Sequence, residues 1–190
     1  MFKNKRTAMV GVLVLAVFLS LLILMVPGKA SAFYEGYLKV RGSRQGDIKG
    51  DVFIKGYENS IKIVSWSFSG AIPAGATAAV PGTAPITMQD FKVTMYTSPA
   101  LPKLFQAFTN KELLSTVELT ALGQDTQGRS VVFLRITLSN AVISSIVNLG
   151  NVKSADTRSM EEVTFRFSKI RIESVEGNVA VEYQQPPPPA

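Results

Sequence analysis

Cysteine and histidine are both absent from the 190 residues. Without thiols the chain has no disulfide and no thiolate site. Without imidazole it has no Ser-His or Cys-His nucleophile, and a zinc site would have to be built from carboxylates alone. Tryptophan occurs once, at Trp66. A charge excess is missing as well, once the amino-terminal segment is set aside. Lys3, Lys5, Arg6 and Lys29 are four of the twenty basic residues, and no acid accompanies them. The remaining sixteen basic and fourteen acidic residues leave a net +2, with no basic run or stripe, so nothing in the charge favours nucleic acid. These absences leave no expectation of a cofactor or a metal.

What is present begins with an address. MFKNKR is a basic start, and Ala8 to Val26 follows with no charge at all. Pro27-Gly28 would break a helix there, and Ala30-Ser31-Ala32 fits the small-x-small rule for signal cleavage. Residues 1–32 therefore read as a signal peptide, with Phe33 the first mature residue. The rival is an uncleaved membrane anchor, since nineteen apolar residues can span the hydrocarbon layer. The basic flank would then keep the N-terminus inside. Both readings place the domain, 33–184, outside the cytoplasm: secreted or periplasmic after cleavage, membrane-anchored without it.

The exported part is dominated by period-two patterning. FYEGYLKV (33–40), 61–69, Ile86–Thr97, Leu113–Leu122, VVFLRITLSNAVI (131–143), VTFRFSKIRI (163–172) and Val179–Tyr183 read as strands. Phe91, Val93 and Met95 share one face, as do Val117, Leu119 and Ala121. Gly42, Gly46 and Gly50 mark turns in 41–51, and Val52–Ile54 is a short apolar run. Residues 71–85 and 148–159 are long loops, and QPPPPA ends the chain as a proline-rich tail (185–190) outside the fold. One helix is expected, with Pro102 at its first position and Leu101, Leu104, Phe105 and Phe108 as its apolar stripe. The fold class is all-β: a small antiparallel β-barrel or sandwich carrying one short α-helix.

Catalytic chemistry finds little support. Asp47 and Asp51 flank a glycine in a loop, and Glu161-Glu162 opens a strand; solvated loop and strand-end carboxylates are the simpler reading. The spacings in GSRQG and GDIKG lack the order and the following helix of a nucleotide-binding loop. No enzyme is expected. IKIVSWSFSG (61–70) is the anomalous strand. Ile61 and Ile63 have one parity, Val64, Trp66 and Phe68 the other. That slip predicts a β-bulge, with the two isoleucines serving one side of the sheet and the Val-Trp-Phe set the other. Trp66 is then either core filling or an interface anchor.

Several ordered blocks carry a family resemblance: YLKV with GDIKG (37–50), IKIVSWSFSG, DFKVTMY (90–96), LPKLFQAF (101–108), FLRITLSNAVISSI (133–146) and EEVTFRFSKI (161–170). With them the chain resembles the Hcp family, the haemolysin-coregulated proteins of the type VI secretion system, over about Tyr37 to Val175. The resemblance implies a β-barrel with a helix on its side and no catalytic residues. It implies homo-hexameric rings stacked into the inner tube of a contractile machine, with sheath and spike proteins as neighbours and secreted effectors as lumen cargo. It also implies subunit-contact roles for Arg41, Arg44, Asp47, Lys49 and Trp66. Two departures stand out. Leu101 occupies the position where the family has a polar helix cap, leaving Ser98-Pro99 as an alternative start. The family's tube subunits also lack a signal peptide. An exported Hcp-like binding module, or a secreted effector on the same barrel, is therefore the alternative to a tube subunit.

Overall fold

The computed structural model describes residues 34–72, 86–150 and 159–185. The signal or anchor segment 1–32, most of the 71–85 loop, residues 151–158 and the tail after Gln185 lie outside the described residues.

Strand β1 (Glu35–Gly42) starts the wall and pairs on one edge with β3 (Ile61–Ser67), on the other with β7 (Leu114–Gln124). Beyond β3 come β6 (Phe91–Tyr96) and β9 (Met160–Ser174); beyond β7 comes β8 (Ser130–Asn148). The β8–β9 ladder runs antiparallel from Leu134↔Ser174 to Asn148↔Glu161 and closes β9, β6, β3, β1, β7 and β8 into a six-stranded barrel. Closure removes the open edges a flat sheet would leave. Three short additions hang on it. β2 (Gly46–Ile48) folds back on β1, β4 (Gly70–Ala71) pairs β5 (Thr87–Met88), and β10 (Val179–Gln184) extends β9. The strand assignments follow the hydrophobic alternation closely. Phe91, Val93 and Met95 are buried together, as are Val117, Leu119 and Ala121. Two expectations differ in detail. Residues 41–48 form a hairpin rather than an open loop, and Ile86–Thr97 is split between β5 and β6.

The helix, α1 (Leu101–Thr109), starts one residue earlier than expected and packs on β8. Its inward face is Ala100, Leu104 and Ala107, with Leu101 and Phe108 of the expected stripe half-buried against the core and Phe105 alone of that stripe turned away. Two alanines let the helix approach the strand closely, whereas a phenylalanine there would hold it off. Phe105 is instead 54% exposed and leans on Phe108, ring centroids 6.2 Å apart. The N-terminus has no side-chain cap, as the sequence indicated, although the capping position is Ala100. The Leu101 N–H donates to the Ser98 carbonyl at 3.0 Å, and Pro102 has no N–H to satisfy.

The bulge in β3 is present. Ile63 pairs with Met95 and Ser65 with Thr94, so Val64 is the extra residue. Its consequence corrects the facing assigned to this strand. A residue inserted into the ladder takes up the parity change, so Trp66 returns to the side of Ile61 and Ile63. It sits opposite buried Val93 and packs on the barrel core. Val64 is thrown outward, 45% exposed, while Phe68, 37% exposed, leans one ring face toward core Phe91 at 6.2 Å. The second slip, in β9, has no register shift across it: Phe167 and Ile170 are both buried in one core while the pairing with β8 keeps its register. β8 changes parity at the same level, from Leu138 to Ala141, through Asn140 in the left-handed region (φ 50°), which asparagine tolerates.

Candidate assembly surface

A hairpin and a tied loop stand side by side on one wall of the barrel. Register in the hairpin is Val40↔Ile48, Arg41↔Asp47 and Gly42↔Gly46. The alternation buries Val40 and Ile48 and turns Lys39, Arg41, Asp47 and Lys49 to solvent. Arg41 Nε lies 3.5 Å from Asp47 Oδ1 across the strands, both side chains 66% exposed, a pairing worth less than about 1 kcal/mol. Gly46, at φ 69°, lets the chain reverse.

The loop 49–60 follows and is closed at its neck. Gly50 N–H donates to the Asn59 carbonyl at 2.8 Å, Asn59 N–H to that of Val52 at 2.8 Å, and Val52 N–H to that of Ser60 at 3.2 Å. Val52 and Tyr57 fold down onto the barrel's outer wall, against Tyr37, Leu122 and Val132. Leu122 faces outward there because a second bulge shifts the β7–β8 register after Ala121. Tyr57 stacks on Tyr37 at 4.7 Å, and the Tyr37 hydroxyl donates to Glu35 Oε2 at 2.7 Å. Burial, then the neighbouring Glu35 carboxylate, push the Tyr37 phenol well above its ordinary value. The Tyr37 hydrogen bond, with help from Lys62, holds Glu35 below its own. With two side chains turned down, the next two are held out: Phe53 is 92% exposed and Ile54 50%.

Four of the five expected contact residues, Arg41, Arg44, Asp47 and Lys49, thus come together on the hairpin and its exit. Trp66 does not join them. It lies by Gly36, where an added Cβ would be 3.4 Å from the indole. Gly36 and Gly42 are about 20 Å apart along β1. Replacing Trp66 by alanine is expected to cost about 2 kcal/mol of barrel stability, because the indole is only partly buried. Urea unfolding of the variant measures this, and an unchanged midpoint would mean that the indole carries no core packing.

An open cleft of ≈ 350 Å³ between hairpin and loop is lined by Lys39, Arg41, Asp47, Lys49, Glu58 and Glu118, of mixed charge. Glu161 is instead a buried brace, accepting Thr97 Oγ1 at 3.0 Å and Asn148 Nδ2 at 2.7 Å. Glu162 pairs with Lys92 at 3.3 Å. Among the described residues no group of three or more acidic side chains is placed to hold a metal. Sequence reasoning read Gly50 only as a turn and Phe53 only as part of a short apolar run, and passed over Glu112. An apolar pair bracketed by Gly50 and Gly56 was the available signal for Phe53. Glu112 had none, because its partners lie 67 and 68 residues away.

Residues 37–173 match the family model described as type VI secretion system effector, Hcp. No curated protein matches the chain. Among solved structures, one titled as the crystal structure of an Hcp protein has 20% identity and a TM-score of 0.72, covering 81% of this chain and 99% of its own. The secreted protein Hcp3 from Pseudomonas aeruginosa has 18% identity and a TM-score of 0.68, with 81% and 99% covered. A double mutant of Hcp1 from E. coli EAEC 042 has 23% identity and a TM-score of 0.66, with 79% and 98% covered. At these identities the structural likeness speaks to the fold.

Proposed function

The chain belongs to the Hcp family of type VI secretion, and from that premise we propose that it is a structural subunit, not an enzyme, that forms homo-hexameric rings stacking into a tube. Secreted effectors would occupy the lumen, and sheath and spike proteins the outside and tip. Phe53 is the observation that carries the reading. A phenylalanine held 92% exposed by a loop tied at its neck is an apolar contact waiting for a cover. Burying such a side chain returns about 2 kcal/mol at each contact. In a ring the contact is heterologous and closes on itself; between rings it repeats without limit.

Electron microscopy and sedimentation of the full chain, kept soluble with detergent, test this directly. Rings or tubes are the expected particles, and a stable monomer across the accessible concentration range would refute the reading. Phe53→Asp is expected to raise the concentration needed for assembly ~30-fold, equivalent to about 2 kcal/mol, with circular dichroism unchanged. Normal assembly of that variant would remove Phe53 from the contact.

We further propose that the domain works outside the cytoplasm, on the strength of MFKNKR, the uncharged run 8–26 and Ala30-Ser31-Ala32. Intact mass of the protein from a secreting cell decides the form. Loss of residues 1–32 means a cleaved signal, and the full mass in the membrane fraction means an anchor. An exported copy that never assembles would favour the binding-module or effector reading of the same barrel.

A further inference from the structure

The turn of the hairpin that carries Arg41, Arg44, Asp47 and Lys49 is fastened by one side chain. Glu112 is 2% exposed. Its Oε1 accepts the backbone N–H of Arg44 at 2.7 Å and of Gln45 at 2.9 Å, and its Oε2 accepts Gln45 Nε2 at 2.9 Å. Gln45 Nε2 also reaches the Lys103 carbonyl of α1 at 3.2 Å. Gly42 leaves the room for this, since an added Cβ would collide with Glu112 Oε1.

The helix end aims the carboxylate. Lys111 N–H returns to the Phe108 carbonyl at 3.1 Å and Glu112 N–H to the Ala107 carbonyl at 2.8 Å, with Lys111 left-handed at φ 47°. That pair of bonds is a Schellman turn, and it reverses the chain so that Glu112 faces the hairpin. The β1 half of the hairpin stays laddered to β7 through Gly42↔Leu114, so the turn beyond Gly42 is the part that the barrel wall does not hold. Ser43 N–H adds one more tie, to the Leu113 carbonyl at 2.9 Å.

We propose that Glu112 is a positioning residue for assembly: it fixes the turn 43–45 so that the hairpin meets a second copy of this chain in one orientation. The inference rests on the ring reading above. Glu112 touches no neighbour itself; it acts through Arg44 and Gln45.

Glu112→Gln in the full chain tests it, beside Ile136→Val in the barrel core as a variant of weakened packing away from the hairpin. Amide hydrogen exchange reads the hairpin, thermal unfolding reads the barrel, and sedimentation reads assembly. For Glu112→Gln the Arg44 and Gln45 amides are expected to exchange at least ~10-fold faster, and the concentration needed for assembly to rise at least ~10-fold. Ile136→Val is expected to change thermal stability and leave both other readouts alone. Faster exchange with normal assembly overturns the positioning role. So does an equal assembly defect in Ile136→Val, which would make the effect one of general stability. A wild-type protein that stays monomeric overturns the ring reading, and this inference falls with it.

Discussion

Gly50→Ala is expected to unlatch the loop 49–60 and lower the thermal midpoint by about 6–12 °C, corresponding to about 3 kcal/mol. The reason is a backbone crossing. A Cβ at Gly50 would overlap the Ser60 carbonyl oxygen and lie 2.6 Å from its carbon and 2.7 Å from Ile61 Cα. No side-chain rotation relieves a clash with main chain, so the neck must open and its three hydrogen bonds with it. Val52 and Tyr57 then leave the wall, and Tyr37 loses its stacking partner.

Tyr37 gives this prediction a spectroscopic readout. Its phenol is pushed up by burial first and by Glu35 second, so the native state favours the protonated form. That contribution is complete below the ordinary tyrosine value and is lost as pH rises through the raised native one. Tyrosinate absorbance in the wild type should therefore develop partly as alkaline unfolding. In Gly50→Ala one tyrosine should titrate earlier, still above the ordinary value because Glu35 stays beside it. An unchanged midpoint and an unchanged alkaline titration would show that the neck tolerates a methyl group and that the loop is not fixed there.

Glu112→Ala is expected to cost a further class of stability, about 3 kcal/mol, by leaving the Arg44 and Gln45 amides without their charged acceptor. The sign of its pH dependence follows from the site. Burial opposes the charge of Glu112, yet bonds from the Gln45 backbone and side chain and the Arg44 backbone, together with the Arg44 charge, outweigh it. The carboxyl is held below its usual value. A depressed carboxyl stabilises fully above the unfolded value, 4.5, and loses that contribution as pH falls through the native one. The wild-type stability curve should therefore fall on the acid side, and the alanine variant should show a shallower fall there. Denaturant midpoints at a series of pH values compare the two; parallel acid limbs would place the wild type's acid sensitivity elsewhere.

Strand identity was legible because a barrel wall with one buried face writes period two into the sequence. Phe91, Val93 and Met95 have that pattern, and so do Val117, Leu119 and Ala121. The bulge after Ile63 was legible too, as a change of parity. Its outcome was not: parity alone does not distinguish a strand that turns its second half outward from one that ejects a single residue and continues. Only the partner strand decides, by pairing Trp66 with Val93. One position of the helix face was misread for a related reason. Hydrophobicity singled out Phe105, while close packing on β8 selected Ala100 and Ala107.

By itself the sequence determined the class of the fold, the exclusion of thiol and imidazole chemistry, and the family. These depend on composition and on spacing along one strand or turn, which the chain carries locally. The tertiary structure alone decided that Phe53 is held out, that Trp66 is turned in, and that Glu112 fastens the hairpin. Each depends on partners far away in the chain: Val52 and Tyr57 on the Leu122 wall, Val93 across from Trp66, and Arg44 and Gln45 sixty-eight and sixty-seven residues from Glu112. Local pattern has no term for such meetings, because they are settled by how the closed barrel brings its strands and its helix end together.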